Sequence, residues 1–260
     1  MTTALLRRAG VLTAVAAATT ALAGCAGALG ARMTYEDTEK AKITDIVLSG
    51  GDGDVTIRTA AVTETTIKRV VQRSSNPADS YRVTGSTLTL DTSCGPDCSV
   101  SYDIQAPAGV AVRGQLRSGD VHLADVGATD LEVNSGDLTV SDATGPVRLR
   151  TTSGDVRVVG AKSRVTVQAT SGDIEATNAG GPLDLRVTSG DITAKLVTAA
   201  SVTAQATSGD VNITVPDGSY RIATITGSGH ANVSGLHSDP AAKNVIDVRT
   251  GSGDVTVGTA

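Results

Sequence analysis

The 260-residue sequence has no phenylalanine and no tryptophan, and its four tyrosines, Tyr35, Tyr81, Tyr102 and Tyr220, lie far apart in the chain. A core without large rings must be built from Val, Ile, Leu and Ala, which suits a thin interior. So few rings also count against a carbohydrate platform that works by aromatic stacking. The three histidines, His122, His230 and His237, sit in separate segments and compose neither a catalytic triad nor a metal site. His122 takes the outward phase between Val121 and Leu123. No segment combines an apolar stripe at helical spacing with caps, so helices are not expected. Basic residues number 22 against 27 acidic, a net charge of −5, which makes nucleic acid a poor partner.

Glycine is plentiful, and much of it recurs at a fixed interval. The marker is Ser-Gly-Asp followed by an apolar residue. It occurs at Ser118-Gly119-Asp120, Ser135-Gly136-Asp137, Ser153-Gly154-Asp155, Ser171-Gly172-Asp173, Ser189-Gly190-Asp191, Ser208-Gly209-Asp210 and Ser252-Gly253-Asp254. Ser228-Gly229-His230 fills the one gap, with the acid replaced. Successive serines are 17, 18, 18, 18, 19, 20 and 24 residues apart. A period near twenty residues is the signature of a repeat architecture.

Within a unit, apolar and polar residues alternate, as in Val156-Arg157-Val158, and the pattern returns nine residues later at Val165-Thr166-Val167. Period two with β-branched residues reads as a strand with one dry face. Each unit of about 18 residues therefore holds two short strands and two turns. Glycine in the Ser-Gly-Asp turn admits positive φ, and the flanking Ser and Asp can hydrogen-bond to turn backbone. The fold class is all-β. A β-solenoid of stacked two-strand coils and a β-sandwich or meander of hairpins both fit. The solenoid explains more, because turns that stack need a near-constant period and hairpins do not. Such coils bury their apolar faces only against their neighbours, so the stack needs capped ends. Val255 and Val257 lie close to the C-terminus, and the last coil is expected to be exposed or covered by the N-terminal part.

The chain divides into four stretches. Residues 1–24 read as a lipoprotein signal peptide: Arg7 and Arg8, a short apolar run of small residues, then Leu22-Ala23-Gly24-Cys25. That ending resembles the bacterial lipobox, in which the cysteine is lipidated and becomes the first residue of the mature chain. Cys25 is accordingly the expected lipid attachment site. An ordinary secretory signal is the competing reading. Loss of both arginines takes the mature net charge to −7, 20 basic against 27 acidic. Residues 25–42 read as the lipidated Cys and a flexible tether. Residues 43–112 form an N-terminal β region, with strands expected at Ile43–Leu48, Val55–Arg58, Thr65–Val71 and Ser80–Leu90, and a turn at Asn76–Ser80. Within it, Ser49-Gly50-Gly51-Asp52-Gly53-Asp54 is an expanded version of the repeat turn. Cys94 and Cys98 close a Gly-Pro loop, and in an exported chain they are expected to form a structural disulfide. Residues 113–260 hold the repeats.

The lipobox, the segment Tyr102–Val110 with its Pro-Ala-Gly-Val step, and the Ser-Gly-Asp units that follow resemble the bacterial DUF4097 family, whose members carry the provisional name adhesin. The resemblance spans roughly residues 43–257. It implies a β-solenoid-like fold in an envelope protein and supplies no activity and no catalytic residues.

Candidate chemistry is sparse. Asp120, Asp137, Asp155, Asp173, Asp191, Asp210 and Asp254 would stack at one corner about 5 Å apart. Either each carboxylate accepts N–H groups of its own turn, or the row holds cations such as Ca²⁺. The Ca²⁺ β-roll pattern is not met, because Gly50-Gly51-Asp52-Gly53-Asp54-Val55 ends in Val where that pattern needs Asp. No metal and no cofactor is expected. The turn serines recur too regularly for one to be a nucleophile, and no enzyme is expected. The outward face is polar, with Arg148, Arg150, Arg157 and Arg186 among acids and a Thr ladder at Thr152, Thr170, Thr188, Thr207 and Thr250.

The expectation is a lipid-anchored protein on the extracytoplasmic side of the cell membrane, a surface binding module or adhesin without catalysis. Its partner would be an envelope or extracellular protein or a glycan. The alternative is a structural or sensory envelope protein that works with a membrane complex. An enzyme accessory module is a weaker third.

Overall fold

The computed structural model describes residues 32–72, 80–95 and 98–259. Short strands form two facing sheets, with no helix among the described residues. In the repeats each coil contributes one strand to each sheet. The coils pair β8 (Ala111–Ser118) with β9 (Val121–Ala124), β10 (Thr129–Ser135) with β11 (Leu138–Ser141), and β12 (Val147–Ser153) with β13 (Val156–Val159). They continue as β14 (Val165–Ser171) and β15 (Ile174–Ala179), β16 (Leu183–Ser189) and β17 (Ile192–Leu196), and β18 (Val202–Ser208) and β19 (Val211–Val215). The remaining two are β20 (Tyr220–Ser228) with β21 (Ala231–Ser234), and β22 (Asn244–Ser252) with β23 (Val255–Thr259).

Every strand of a repeat coil pairs in parallel with the equivalent strand of its neighbour, as Val147↔Val165 and Val156↔Ile174 illustrate. Parallel pairing between units rules out the hairpin meander and establishes the solenoid-like stack. The interior is the expected one: Leu149, Val158, Val167, Ile174, Leu185 and Ile192 are buried between the sheets. Aliphatic side chains fill the space because two short strands separated by one turn bring the sheets close.

The turn glycines are required twice over. Gly172 has φ of 114°, which costs an L side chain, and a Cβ there would overlap the carbonyl oxygen of Gly154 in the preceding coil. Adjacent backbones thus approach through the glycines. The same positions carry backbone bonds, Gly154 N–H to Ser171 C=O at 3.2 Å and Gly172 N–H to Ser189 C=O at 3.1 Å.

At both ends spatial order departs from chain order. The twelve-stranded sheet ends in β19-β23-β21, and the eleven-stranded sheet in β18-β22-β20. The last coil of the chain is therefore inserted one layer in, and the coil before it is outermost. This corrects the expectation that β22 and β23 form the exposed end. The connection after β21 must step back inward, which accounts for the 24-residue interval. On its way it lines the outer edge of β20: Asp239 N–H donates to Tyr220 C=O at 2.8 Å and Ile222 N–H to Ser238 Oγ at 3.0 Å. Farther along, Ile225 and Val233 remain 52% and 38% exposed.

The N-terminal end has its own inversion. β2 (Asp45–Ser49) and β3 (Val55–Ala60) stack on β8 and β9, while β6 (Thr87–Asp91) and β7 (Ser99–Pro107) lie outside them. β4 (Thr65–Gln72) and β5 (Tyr81–Thr84) then close the end antiparallel to β7 and β6. The expected single strand over Ser80–Leu90 is a hairpin turning at Gly85. β1 (Arg32–Glu39) pairs antiparallel with β4, which corrects the tether within residues 25–42: from Arg32 to Glu39 it is an edge strand. Its charged residues, Arg32, Glu36, Asp37 and Glu39, suit an edge that must not recruit further strands. Met1 to Ala31, and with them Cys25, as well as the turn expected at Asn76–Ser80 up to Asp79, lie outside the described residues.

The tyrosines do not stay apart. Tyr35, Tyr81 and Tyr102 meet at this end around Arg69, whose guanidinium lies 4.7 Å from the Tyr35 ring centre and 5.5 Å from that of Tyr81. Tyr102 is buried, and its hydroxyl donates to a backbone carbonyl, with Ser80 C=O and, at 3.0 Å, Asp91 C=O both in reach. Burial pushes its pKa up to about 12.

Two outcomes follow. Gly172→Ala should cost about 2–4 kcal/mol, from positive φ plus a backbone collision. Gly85→Ala should cost only about 1–2 kcal/mol, because φ is 61° but nothing lies within 4 Å of the added carbon; denaturant unfolding compares them. Tyr102 ionises near pH 10 when unfolded and near 12 when folded, so its contribution is complete below pH 10 and lost as pH rises through 12. Alkaline melting of Tyr102→Phe should show a correspondingly shallower decline above pH 10 than the parent.

Candidate functional site

The stacked Ser-Gly-Asp turns make one long edge. Each carboxylate there accepts from the next coil, where the sequence reading places the donor in the residue's own turn. Asp137 N–H donates to Asp120 Oδ1 at 2.9 Å, Asp155 to Asp137 at 2.8 Å, Asp173 to Asp155 at 2.8 Å and Asp191 to Asp173 at 2.8 Å. The series begins with Asp54, which accepts from Asp120 at 3.1 Å, so the expanded turn after Ser49 is the first rung. It continues through Asp210 and Asp254, and ends where His230 N–H donates to Asp254 Oδ1 at 2.8 Å. His230 belongs to the outermost coil and has no further N–H to accept. That place in the stack explains the one missing acid. Among the described residues no three His, Cys, Asp or Glu side chains are grouped to hold a metal ion. The carboxylates are exposed and each holds a backbone donor, an arrangement that serves stacking.

Cys94 and Cys98 stand at disulfide distance, their Cα atoms 5.2 Å apart, just after Ser93, which packs beside Gly50 and Gly51 of the expanded turn. His122 is exposed on the twelve-stranded sheet, in the same row as Arg157 and Glu175, which pair with each other.

The concave surface is elsewhere, on the outer face of the eleven-stranded sheet. Two rows of side chains stand on it. The first runs Arg113, Asp130, Arg148, Thr166, Asp184, Thr203, Asp247, and the second Gln115, Glu132, Arg150, Gln168, Arg186, Gln205, Arg249. Beyond them each strand buries a small or medium residue, Val133, Thr151, Ala169, Val187, Ala206 and then Thr250. The next residue faces outward and falls out of the pairing register before the turn serine: Asn134, Thr152, Thr170, Thr188, Thr207, Gly251. The strand bends there. A groove is left between the second row and the Thr row, with the small residues as its floor.

The groove is continuous over several coils. One hollow of about 540 Å³ is lined by Gln168, Arg186, Gln205 and Arg249 on one side, Thr188 and Thr207 on the other, and Ala169 and Ala206 below. A second, of about 230 Å³, continues it past Glu132, Arg150 and Thr152, sharing Gln168 and Ala169. Thr250 is not part of the Thr ladder expected from the sequence. It lies in the buried row, its hydroxyl donating to Gly209 C=O at 2.8 Å, and Gly251 takes the ladder position.

Two of the arginines of the second row are held in place by acids of the first. Arg249 makes two bonds to Asp247, at 2.8 and 2.9 Å, which hold its guanidinium above its ordinary pKa. Arg186 pairs with Asp184 at 3.2 Å. Arg150 has no ion-pair partner among the described residues. A guanidinium bonded to one carboxylate keeps further N–H donors for another group. The face presents fixed donors and hydroxyls on a rigid sheet, with no converging nucleophile and base.

Comparison with known proteins fits this geometry. The family model described as Toastrack DUF4097 matches residues 43–258. The chain belongs to this family. A Bacteroides fragilis structure provisionally described as an adhesin is similar at 17% identity, covering 90% of this chain and 100% of that one, with a TM-score of 0.50. A Parabacteroides distasonis structure provisionally described as lipid binding is 12% identical over 88% of this chain and 96% of that one, also at a TM-score of 0.50. At such identity both report the Toastrack fold and nothing finer. No curated protein matches.

Asp173→Ala should remove one rung acceptor and lower unfolding free energy by about 1 kcal/mol, whereas Asp173→Asn, which keeps an acceptor oxygen, should lose less than half of that. Melting of all three proteins should be unchanged by added calcium or chelator; a calcium-dependent shift in the parent that Asp173→Ala abolishes would contradict a purely stacking role.

Proposed function

We propose that this Toastrack chain is a non-enzymatic binding module of the bacterial cell envelope, held to the extracytoplasmic face of the cell membrane by lipid on Cys25. The observation that carries the reading is the groove: a continuous hollow on one sheet face, spanning several coils, whose polar walls are outward side chains the fold does not use for its core. Recognition spread over coils suits an extended partner. The provisional description of the Bacteroides fragilis relative as an adhesin is consistent with it. The lipobox ending at Cys25 supports the anchor, because acyl chains contribute about 0.8 kcal/mol per buried CH₂ and more than one chain gives lasting attachment.

A second reading, a structural or sensory protein bound to a membrane complex, draws support from the open end of the stack. There β21, and β20 beyond the Tyr220–Ile222 stretch that the connection covers, are the last strands of their sheets, beside the exposed Ile225 and Val233. Unpaired parallel edges are templates for protein strands.

Cys25→Ser should move the protein from the membrane fraction to the soluble extracytoplasmic fraction; retention in the membrane would contradict the anchor. Crosslinking on intact cells, followed by mass spectrometry, tests the module. Links from the groove rows to wall polymer or extracellular protein support it. Links confined to the β20–β21 end and a membrane complex would favour the second reading.

A further inference from the structure

Over the four layers β14, β16, β18 and β22 the groove rows repeat every two coils. In spatial order β14 carries Thr166 and Gln168, β16 carries Asp184 and Arg186, β18 carries Thr203 and Gln205, and β22 carries Asp247 and Arg249. Thr with Gln alternates with Asp with Arg. The alternation exists only in the folded stack. In chain order β20 intervenes with Ala223 and Ile225 at these places, and it is the inserted last coil that brings Arg249 into phase. In the second row alone, Arg150 on β12 extends the arginine phase two coils further in the other direction, with Arg148 beside it where β16 and β22 carry an acid. Three arginines on alternate coils therefore stand about 10 Å apart along the stack axis, twice the strand spacing.

We propose that this groove binds a glycan strand of the bacterial cell wall, lying lengthwise across the coils. The inference rests on the reading of the chain as an envelope binding module and names its ligand. A 1,4-β-linked glycan turns over at each sugar and so repeats every two sugars over the length of two coils. An extended peptide repeats every two residues in about 7 Å and drifts out of phase within two coils. The chemistry agrees with the spacing. The N-acyl carbonyls and hydroxyls of such a glycan are neutral acceptors. Arg186 and Arg249 have their charge offset by Asp184 and Asp247 and retain N–H donors that need neutral partners. Arg150, without an acid partner among the described residues, suits a carboxylate on the same strand. Gln168 and Gln205 both donate and accept, as hydroxyl and amide partners require. With no ring to stack on, each sugar contributes little, and affinity must accumulate along the groove.

The test uses the full chain in mild detergent. Binding is measured by calorimetry to N-acetylglucosamine oligomers of increasing length and to wall glycan strands freed of their peptides, with dextran and the released peptides as comparisons. Affinity should rise with oligomer length and level off near five or six sugars, because β10 to β22 spans about 24 Å. Arg186→Gln with Arg249→Gln should weaken binding at least tenfold with an unchanged melting profile, since Gln is what the neighbouring coils already carry there. Arg157→Gln on the opposite sheet should change nothing. The proposal is overturned if neither glycan binds, if dextran binds as well, if only the peptides bind, or if the double variant binds like the parent. If the cell-surface crosslinks still emanate from the groove while glycan binding fails, the binding module stands and the glycan assignment falls.

Discussion

Everything in this molecule depends on one coil finding its neighbour at the Ser-Gly-Asp turn. Three interactions coincide there: a glycine backbone close enough to exclude any Cβ, a glycine N–H donated to the next coil's serine carbonyl, and a carboxylate that takes the next coil's N–H. Because each Asp reaches across a layer boundary, the series also registers one coil on another, and a one-residue slip would break every rung. Apolar burial supplies most of the stabilisation, but it is tolerant of sliding among Val, Ile and Leu. The turn is what makes the stack unique. It also resolves the difficulty of placing like charges about one strand spacing apart, since every carboxylate acquires a positively polarised partner without a cation.

Much of this was legible. Period, turn residues and a nine-residue echo between strands suffice for a two-sheet solenoid, because each reflects geometry that every coil must repeat. The neighbour relations at the ends were not legible. A repeat motif says how a coil stacks but not on which coil, and the inserted β22–β23 layer carries the same Ser252-Gly253-Asp254 turn as any interior coil. In retrospect one residue held the signal: His230 stands where the acid has nothing left to accept, which marks the outermost layer. The strand over Arg32–Glu39 was hidden because half its residues are charged, as an edge strand allows. The tyrosine cluster escaped because its members come from β1, from the start of β5 and from β7, brought together only by antiparallel pairing around Arg69.

The groove illustrates the same limit at the level of function. Taken one strand at a time its residues make a plain polar outward face, and the sequence spacing puts Thr250 in the threonine ladder where the folded strand has Gly251. The floor comes from small residues at one position per coil, Ala169 and Ala206 among them, and the wall from the bend that follows. Neither is visible without knowing that the strand leaves the ladder one residue before the turn. Two coils are the minimum unit in which the alternation of Gln and Arg has meaning, and the chain order scrambles it.

The inserted layer bears on how the protein reaches its folded state. A solenoid whose coils stack in chain order can grow as a zipper while the polypeptide emerges, each new coil landing on a finished edge. Here that advance must pause. Once β18 and β19 are in place, β20 and β21 have no permanent seat beside them, because that seat belongs to segments not yet delivered. The outer coil must wait, or settle there and be displaced, until the closing strands arrive and slide between. Completion is thus a single late event involving the final two coils together, and a chain halted before its last strands would retain a ragged, adhesive edge where the finished molecule has an in-register parallel ladder.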